Sequence, residues 1–276
     1  MPGKQPFDKL FEKLVSQPTA RYRAAIGSPV HLSPEALSEF LARLQEHQNV
    51  NPSMALWFVV DYKTLNITHR YGDVEVFGKK LHSLKDFYQR MHPDYLAPYL
   101  HWRAAAYEIA LGQELSIDPL SVIYRQSIPL ATQDGSYYWF NSDASIIQVD
   151  AEGRIATNLQ TFYRESRWSP RNQRPFEASV QIRNAADAQL ESQLFAQLSL
   201  YLIDEFTNAE LDLLSLYANG KSAGDVMAIK GWSRHTLHEY NANLLRKAKA
   251  LFVYDFKNAR DFAEYCYEKG FVRLKS

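Results

Sequence analysis

The chain has 276 residues, 46% of them hydrophobic, enough for one large core or two to three small ones. Lys+Arg and Asp+Glu both number 31, so a basic footprint for nucleic acid spread over the whole chain is excluded and any such footprint is local. The single cysteine, Cys266, excludes an internal disulfide and a multi-cysteine zinc site and suits a reduced, cytoplasmic setting.

The spacing of Phe7, Leu10, Phe11 and Leu14 predicts a short amphipathic helix over 6–16, ended by Pro18. Ser33 and Pro34 open a second helix with Glu35 and Glu39 toward its positive end, and "NVNPS" at 49–53 breaks it. Residues 55–72, "ALWFVVDYKTLNITHRYG", read as strand, turn, strand. Helical spacing returns over 84–112, with "MHPDYL" at 91–96 as a turn inside it. The longest apolar run, 54–60, is far short of the about 20 residues a membrane helix needs, so no membrane association is expected.

From Val122 to Tyr163 the chain reads as β again, with Asp134-Gly135 as a tight turn and Asp150–Gly153 as a second. The run Tyr137–Phe140 alternates across a strand, so half of it faces a core or lines a cavity. "SPRNQRP" at 169–175 is a polar connector. Residues 184–204 carry a helical stripe of Leu190, Leu194, Leu198 and Tyr201, which either packs on a neighbour or joins two subunits.

The last stretch is a series of helix starts and stops. Thr207 with Glu210 and Ser222 with Asp225 have the capping-box spacing; Ser233 opens a third helix and Asn258 with Asp261 a fourth. Gly220, Gly231 and Gly270 supply the stops. Four short helices so closely punctuated follow the grammar of a helix-turn-helix module.

Residues 206–250, "FTNAELDLLSLYANGKSAGDVMAIKGWSRHTLHEYNANLLRKAKA", resemble the LuxR-type helix-turn-helix domain. The family pattern lies on them without a gap through Thr207, Glu210, Leu214, Leu216, Ala218, Gly220, Ser222, Ser233, Thr236, Asn243 and Lys247. The resemblance implies a duplex-DNA reader, with Thr207, Ser222, Ser233, Thr236 and Lys247 among its DNA residues, and the exposed face of the third helix is expected to show Arg234, His235, His238, Asn241 and Ala242 to the DNA, with Arg246 and Lys249 toward its end. Asn241 and Arg234 would read base edges, and the cations would meet phosphates. Departures weaken that grip. Ala209 stands for the family arginine, Gly224 for the lysine before the second helix, His238 for the recognition-helix lysine and Tyr240 for the histidine. Residues 206–276 hold eleven Lys/Arg against eight Asp/Glu, a difference of +3. Within 234–249, however, Glu239 alone opposes four cations.

Residues 50–168 resemble a PAS sensor domain, through the His-Pro-Asp turn in "MHPDY" at 91–95 and the strand, Asp-Gly turn and aromatic strand of 124–140. That likeness implies a five-stranded sheet cupping a small cavity, used for ligand sensing or dimerisation. Flavin photochemistry of the light-sensing type needs a cysteine that this region lacks. The haem-ligand candidates His82, His92 and His101 read as turn or solvated residues, so no cofactor is expected. No phosphate loop, metal-spaced His/Glu helix or nucleophile elbow appears, and neither catalysis nor a metal site is expected.

The expected architecture is α+β: a helical extension (1–48), an antiparallel PAS-like sheet with helices (50–168), a linker and connecting helix (169–204) and an all-α four-helix helix-turn-helix domain (205–276). The expected function is a cytoplasmic, dimeric, sequence-specific DNA-binding transcriptional regulator, controlled by a signal or partner at the PAS-like domain, where a small-molecule ligand is one candidate. The alternative is a PAS-mediated protein–protein adaptor whose helix-turn-helix no longer reads DNA.

Overall fold

The computed structural model describes residues 7–30, 32–72, 81–111, 119–182, 191, 195, 199 and 205–271. The chain separates into two units, 1–194 and 195–276.

The first unit opens with a helical run that changes pitch: α1 (Phe7–Phe11), a π-helical turn over Glu12–Ser16, then α2 (Gln17–Ala25). The sequence predicts an end at Pro18, but the helix continues past it. Proline falls in the first two positions of α2, where a missing N–H costs least. The Thr19 hydroxyl donates to the Val15 carbonyl at 2.6 Å, and Arg23 donates to the Ser16 carbonyl at 3.1 Å, serving carbonyls around the wide turn. Helix α3 (Pro34–Val50) begins where Ser33 accepts the Ala36 N–H.

Strands β1 (Met54–Asp61) and β2 (Asn66–Gly72) follow, then α4 (Leu84–Tyr88) and α5 (Pro93–Leu111). Strands β3 (Val122–Ala131), β4 (Tyr137–Val149), β5 (Ile155–Arg167) and β6 (Glu177–Ile182) complete an antiparallel sheet in the order β2-β1-β5-β4-β3-β6. Six strands replace the five expected. The sixth lies within 169–204, the stretch read as linker. Only Val180 of β6 is fully buried, so "EASVQI" carries little of the alternation that marks a strand. The pairing of Tyr124 with Val180 and of Gln126 with Ala178 makes it the outer neighbour of β3.

Each side chain of β1 through Val60 is buried because both sheet faces are covered there. Trp57 and Val59 pack with Leu41, Ile147 and Leu159, and Leu37, Phe40 and Leu44 of α3 close that layer. Phe58 points the other way, with ring centroids 5.2 Å from Phe87 and 5.3 Å from Phe162. The N-terminal extension is part of this unit. Phe11 meets Tyr88 on the α4 side at 5.9 Å. The chain then rounds the β4–β5 turn, where Gly27 and Val30 donate to the Asp150 carboxylate and the Val149 carbonyl, both at 2.9 Å.

The second unit holds α6 (Asn208–Ala218), α7 (Ala223–Lys230), α8 (Arg234–Phe252) and α9 (Ala259–Glu268). They share a core of Phe206, Leu213, Leu214, Val226, Leu237, Leu244, Phe252 and Phe262.

Candidate nucleic-acid interface

Local chemistry sets the frame. Thr207 accepts the Glu210 N–H while the Glu210 carboxylate takes the Thr207 N–H at 2.7 Å; Ser222 and Asp225 repeat the exchange at the start of α7. Gly231 ends α7 at φ +66°, a left-handed conformation that disfavours any residue with a Cβ. Ser233 then caps α8 by accepting from Thr236 N–H at 3.0 Å, and its hydroxyl meets that of Thr236 at 2.9 Å. The hydroxyls of Thr207, Ser222 and Ser233 are therefore engaged in aiming helices.

Helix α8 has a clear inside and outside. Leu237, Leu244, Ala248, Leu251 and Phe252 are buried. Arg234, His235, His238, Ala242, Arg246 and Lys249 are exposed. Arg234 and Arg246 have no acidic partner among the described residues, whereas Lys249 pairs with Asp255 at 2.6 Å. Beside the face, Trp232 and Tyr240 stack in parallel at 4.2 Å, fixing the start of α8 against the end of α7. Lys230 pairs with Asp212 at 2.7 Å.

Two residues expected at DNA have partners within the second unit. Lys247 turns inward: its ammonium lies 2.7 Å from the Glu210 carboxylate and 2.7 Å from the Glu205 carbonyl. Burial opposes the charge on Glu210, but the Lys247 ammonium and the Thr207 N–H and hydroxyl outweigh it and hold the carboxyl below its ordinary range. Asn241 is half-buried, and its Oδ1 accepts from the Tyr217 hydroxyl at 3.1 Å. The signal for this lay in the spacing: Leu237, Asn241, Leu244 and Ala248 recur at i, i+4, i+7 and i+11, the inner stripe. Glu239, which the sequence reading counted only as a charge opposing the cations, stands exposed on the same outer surface as His235 and Ala242.

The dimerisation stripe of Leu190, Leu194, Leu198 and Tyr201 lies outside the described residues. Its helical neighbours Glu191, Phe195 and Ser199 are described.

In the first unit, His82 and His101 are exposed. His92 packs against Trp168 at 4.2 Å and Tyr137 at 4.7 Å, while its Nδ1 accepts the Asp94 N–H at the start of α5. The helix-covered face of the sheet is not wholly apolar. Gln160 and Gln126 are buried there, flanking the small residues Ala144 and Ser142 of β4, since Gln160 pairs with Ala144 and Gln126 with Ser142. Neither amide atom of Gln160 finds a hydrogen-bond partner among the described residues, and neither does Nε2 of Gln126. Cys266 is buried in the second unit, and burial pushes its thiol up. Among the described residues no helix is long and apolar enough to cross a membrane.

No protein-family model matches the chain, and no curated protein matches it. Solved structures give loose likenesses. One is a phage VqmA in complex with DPO, 13% identical over 87% of this chain and 92% of that one, with a TM-score of 0.31. Another is the Vibrio cholerae VqmA dimer without target DNA, described as a LuxR-type receptor, 14% identical over 85% and 90%, with a TM-score of 0.28. A third is VqmA bound to DPO, 14% identical over the same shares, with a TM-score of 0.27. Superpositions this loose assign no residue and no function to the chain.

Proposed function

We propose that the chain is a non-enzymatic, sequence-specific DNA-binding transcriptional regulator, with α7 and α8 as a helix-turn-helix of LuxR type and α8 as its reading helix. The observation that carries this is the outer face of α8. It presents Arg234, His235, His238, Ala242 and Arg246 together, on a helix whose start is fixed by the Ser233 cap and the Trp232–Tyr240 stack. Such a face fits a major groove, with the outlying cations on phosphates. A homodimer joined through Leu190, Leu194, Leu198 and Tyr201 would set two such helices one turn of DNA apart. The test is a titration of the full chain with short duplexes across a salt series. Phosphate contacts predict a slope of log K against log salt of about −0.9 per contact, and no retention at low salt would end this reading.

The first unit is read as a PAS-like sensor. Five of its strands, with helices between the second and third, fit the arrangement the resemblance implies. The buried amides of Gln160 and Gln126 support a ligand: an unmet buried amide costs about 1–3 kcal/mol, which a small polar guest offering both donors and acceptors would offset. The adaptor reading keeps one specific support. Lys230, Lys247 and Lys249 are all neutralised by neighbouring carboxylates, which thins the positive field around α8.

A further inference from the structure

Asn241 and Glu239 stand two residues apart on α8 and differ in what they can offer to DNA. A carboxamide reads adenine by donating and accepting at the base edge together. The Asn241 amide is half-buried in the inner stripe, and its oxygen already accepts from Tyr217. Glu239 has a side chain 62% exposed; among the described residues its one partner is His235, one turn earlier, at 3.4 Å. No lysine or arginine among the described residues pairs with it.

In a helix laid in the major groove, the residues of the first turns meet base edges. On α8 the exposed residues of those turns are Arg234, His235, His238, Glu239, Ala242 and Asn243. A carboxylate there is repelled by phosphates and by every base-edge acceptor. It is favoured only where an amino group donates to it. Cytosine offers its N4 amino group with an acceptor on one side only, the guanine O6, and its own C5–H on the other, whereas the adenine amino group is flanked by acceptors on both sides, N7 and the thymine O4, which would repel the second carboxylate oxygen. Ala242, one turn on from Glu239, adds a methyl of the kind that meets thymine.

We propose that Glu239 sets the base specificity of this helix by accepting from a cytosine N4 amino group and penalising other bases, with Ala242 beside it, and that Asn241 is a positioning residue that reads no base. This rests on the DNA-reading function proposed above. It also gives the thin charge of α8 a role, because specificity is a difference of affinities and a repulsive group widens it.

The test uses the full chain as wild type, Glu239→Gln and Asn241→Ala. Each is used to select from a pool of randomised short duplexes, and each is titrated with one scrambled duplex. Wild type should return a cytosine at a fixed position. Glu239→Gln should bind the scrambled duplex several-fold tighter and lose the cytosine preference by roughly 5- to 150-fold. Asn241→Ala should return the wild-type sequence. If Asn241→Ala does not fold, Tyr217→Phe, which removes the hydroxyl and leaves the amide in place, should return it instead. Wild-type preference and wild-type scrambled affinity in Glu239→Gln would overturn the proposal, as would a changed preference in Asn241→Ala. A wild type that binds no duplex at low salt overturns the DNA-reading function itself and this proposal with it, a result distinct from any Glu239→Gln outcome.

Discussion

The ammonium of Lys247 lies 2.7 Å from the carboxylate of Glu210, joining the last turns of α8 to the first turn of α6. The two side chains are 18% and 5% exposed, and Glu210 also serves the Thr207 cap, so one carboxylate fixes both a helix start and a helix crossing. Removing the lysine leaves a buried charge unpaired. Lys247→Ala should lower stability by about 3 kcal/mol. It should leave the salt slope of DNA binding unchanged, because this ammonium is taken up by the Glu210 carboxylate and the Glu205 carbonyl. Chemical denaturation checks the first part and a salt titration the second; a shallower slope in Lys247→Ala would return the lysine to the DNA.

The same pair sets a pH dependence. Burial works against the Glu210 charge, yet Lys247 and the Thr207 groups hold its folded pKa below the ordinary 4.5. A depressed carboxyl stabilises the fold above its unfolded pKa, and that contribution is lost as pH falls through the ordinary value toward the folded one. Glu210→Gln should therefore be less stable than wild type at neutral pH, with the gap closing as pH drops below about 4.5. Melts of both proteins over an acid series measure it, and a gap independent of pH would refute it.

Two glycines should respond in opposite directions. Gly72 ends β2 at φ +117°, and a Cβ there would fall well inside contact distance of the Ala55 carbonyl and the Gln48 side chain. Gln48 donates to that same carbonyl at 3.0 Å, so the site has no slack. Gly72→Ala should cost about 3 kcal/mol or more. Gly224 lies in the first turn of α7 with ordinary backbone, and the nearest atom to an added Cβ is the Ser222 Oγ at 3.6 Å. Gly224→Ala should stabilise by about 0.5 kcal/mol through the unfolded chain. Denaturant midpoints of the two variants decide, and a neutral Gly72→Ala would show that β2 can shift.

What the sequence made legible was what is local. Thr207 with Glu210, Ser222 with Asp225 and Ser233 announced helix starts because each cap is satisfied within three residues. The end of α8 was not announced: Val253, a β-branched residue, takes a left-handed position at φ 56° that glycine adopts at least cost. Packing imposes it, since Phe252, Val253 and Phe256 are all buried. Strand β6 was missed because an edge strand buries little. The placement of Asn241 was readable from its stripe, but the sequence reading put it on the exposed face beside Ala242. Lys247 could not be placed from sequence, since its partner Glu210 is 37 residues away.

The longest-range of these relationships joins Gly27 to Asp150, 123 residues apart. The Asp150 side chain is 1% exposed and accepts four hydrogen bonds: from Gly27 N–H at 2.9 Å, Glu152 N–H at 3.0 Å, Arg154 N–H at 2.8 Å and the Arg154 guanidinium at 2.8 Å. Burial alone would raise its pKa, but these donors outweigh it and keep the carboxyl below the ordinary 3.8, so the charge persists at neutral pH. Asp150→Ala should then leave three N–H groups and a guanidinium unmet and cost about 3–5 kcal/mol. Asp150→Asn keeps one acceptor oxygen and should cost less, and what it gives up should include the Gly27 contact. Amide exchange separates the two effects. In Asp150→Asn, protection at Gly27 and at Val30, which donates to Val149, should fall before that of the β4–β5 pairs Ala144–Gln160 and Ser142–Phe162. Equal loss across the sheet would mean that Asp150 holds the β4–β5 turn alone, and that the N-terminal segment is kept in place by Phe11 and Tyr88 without it.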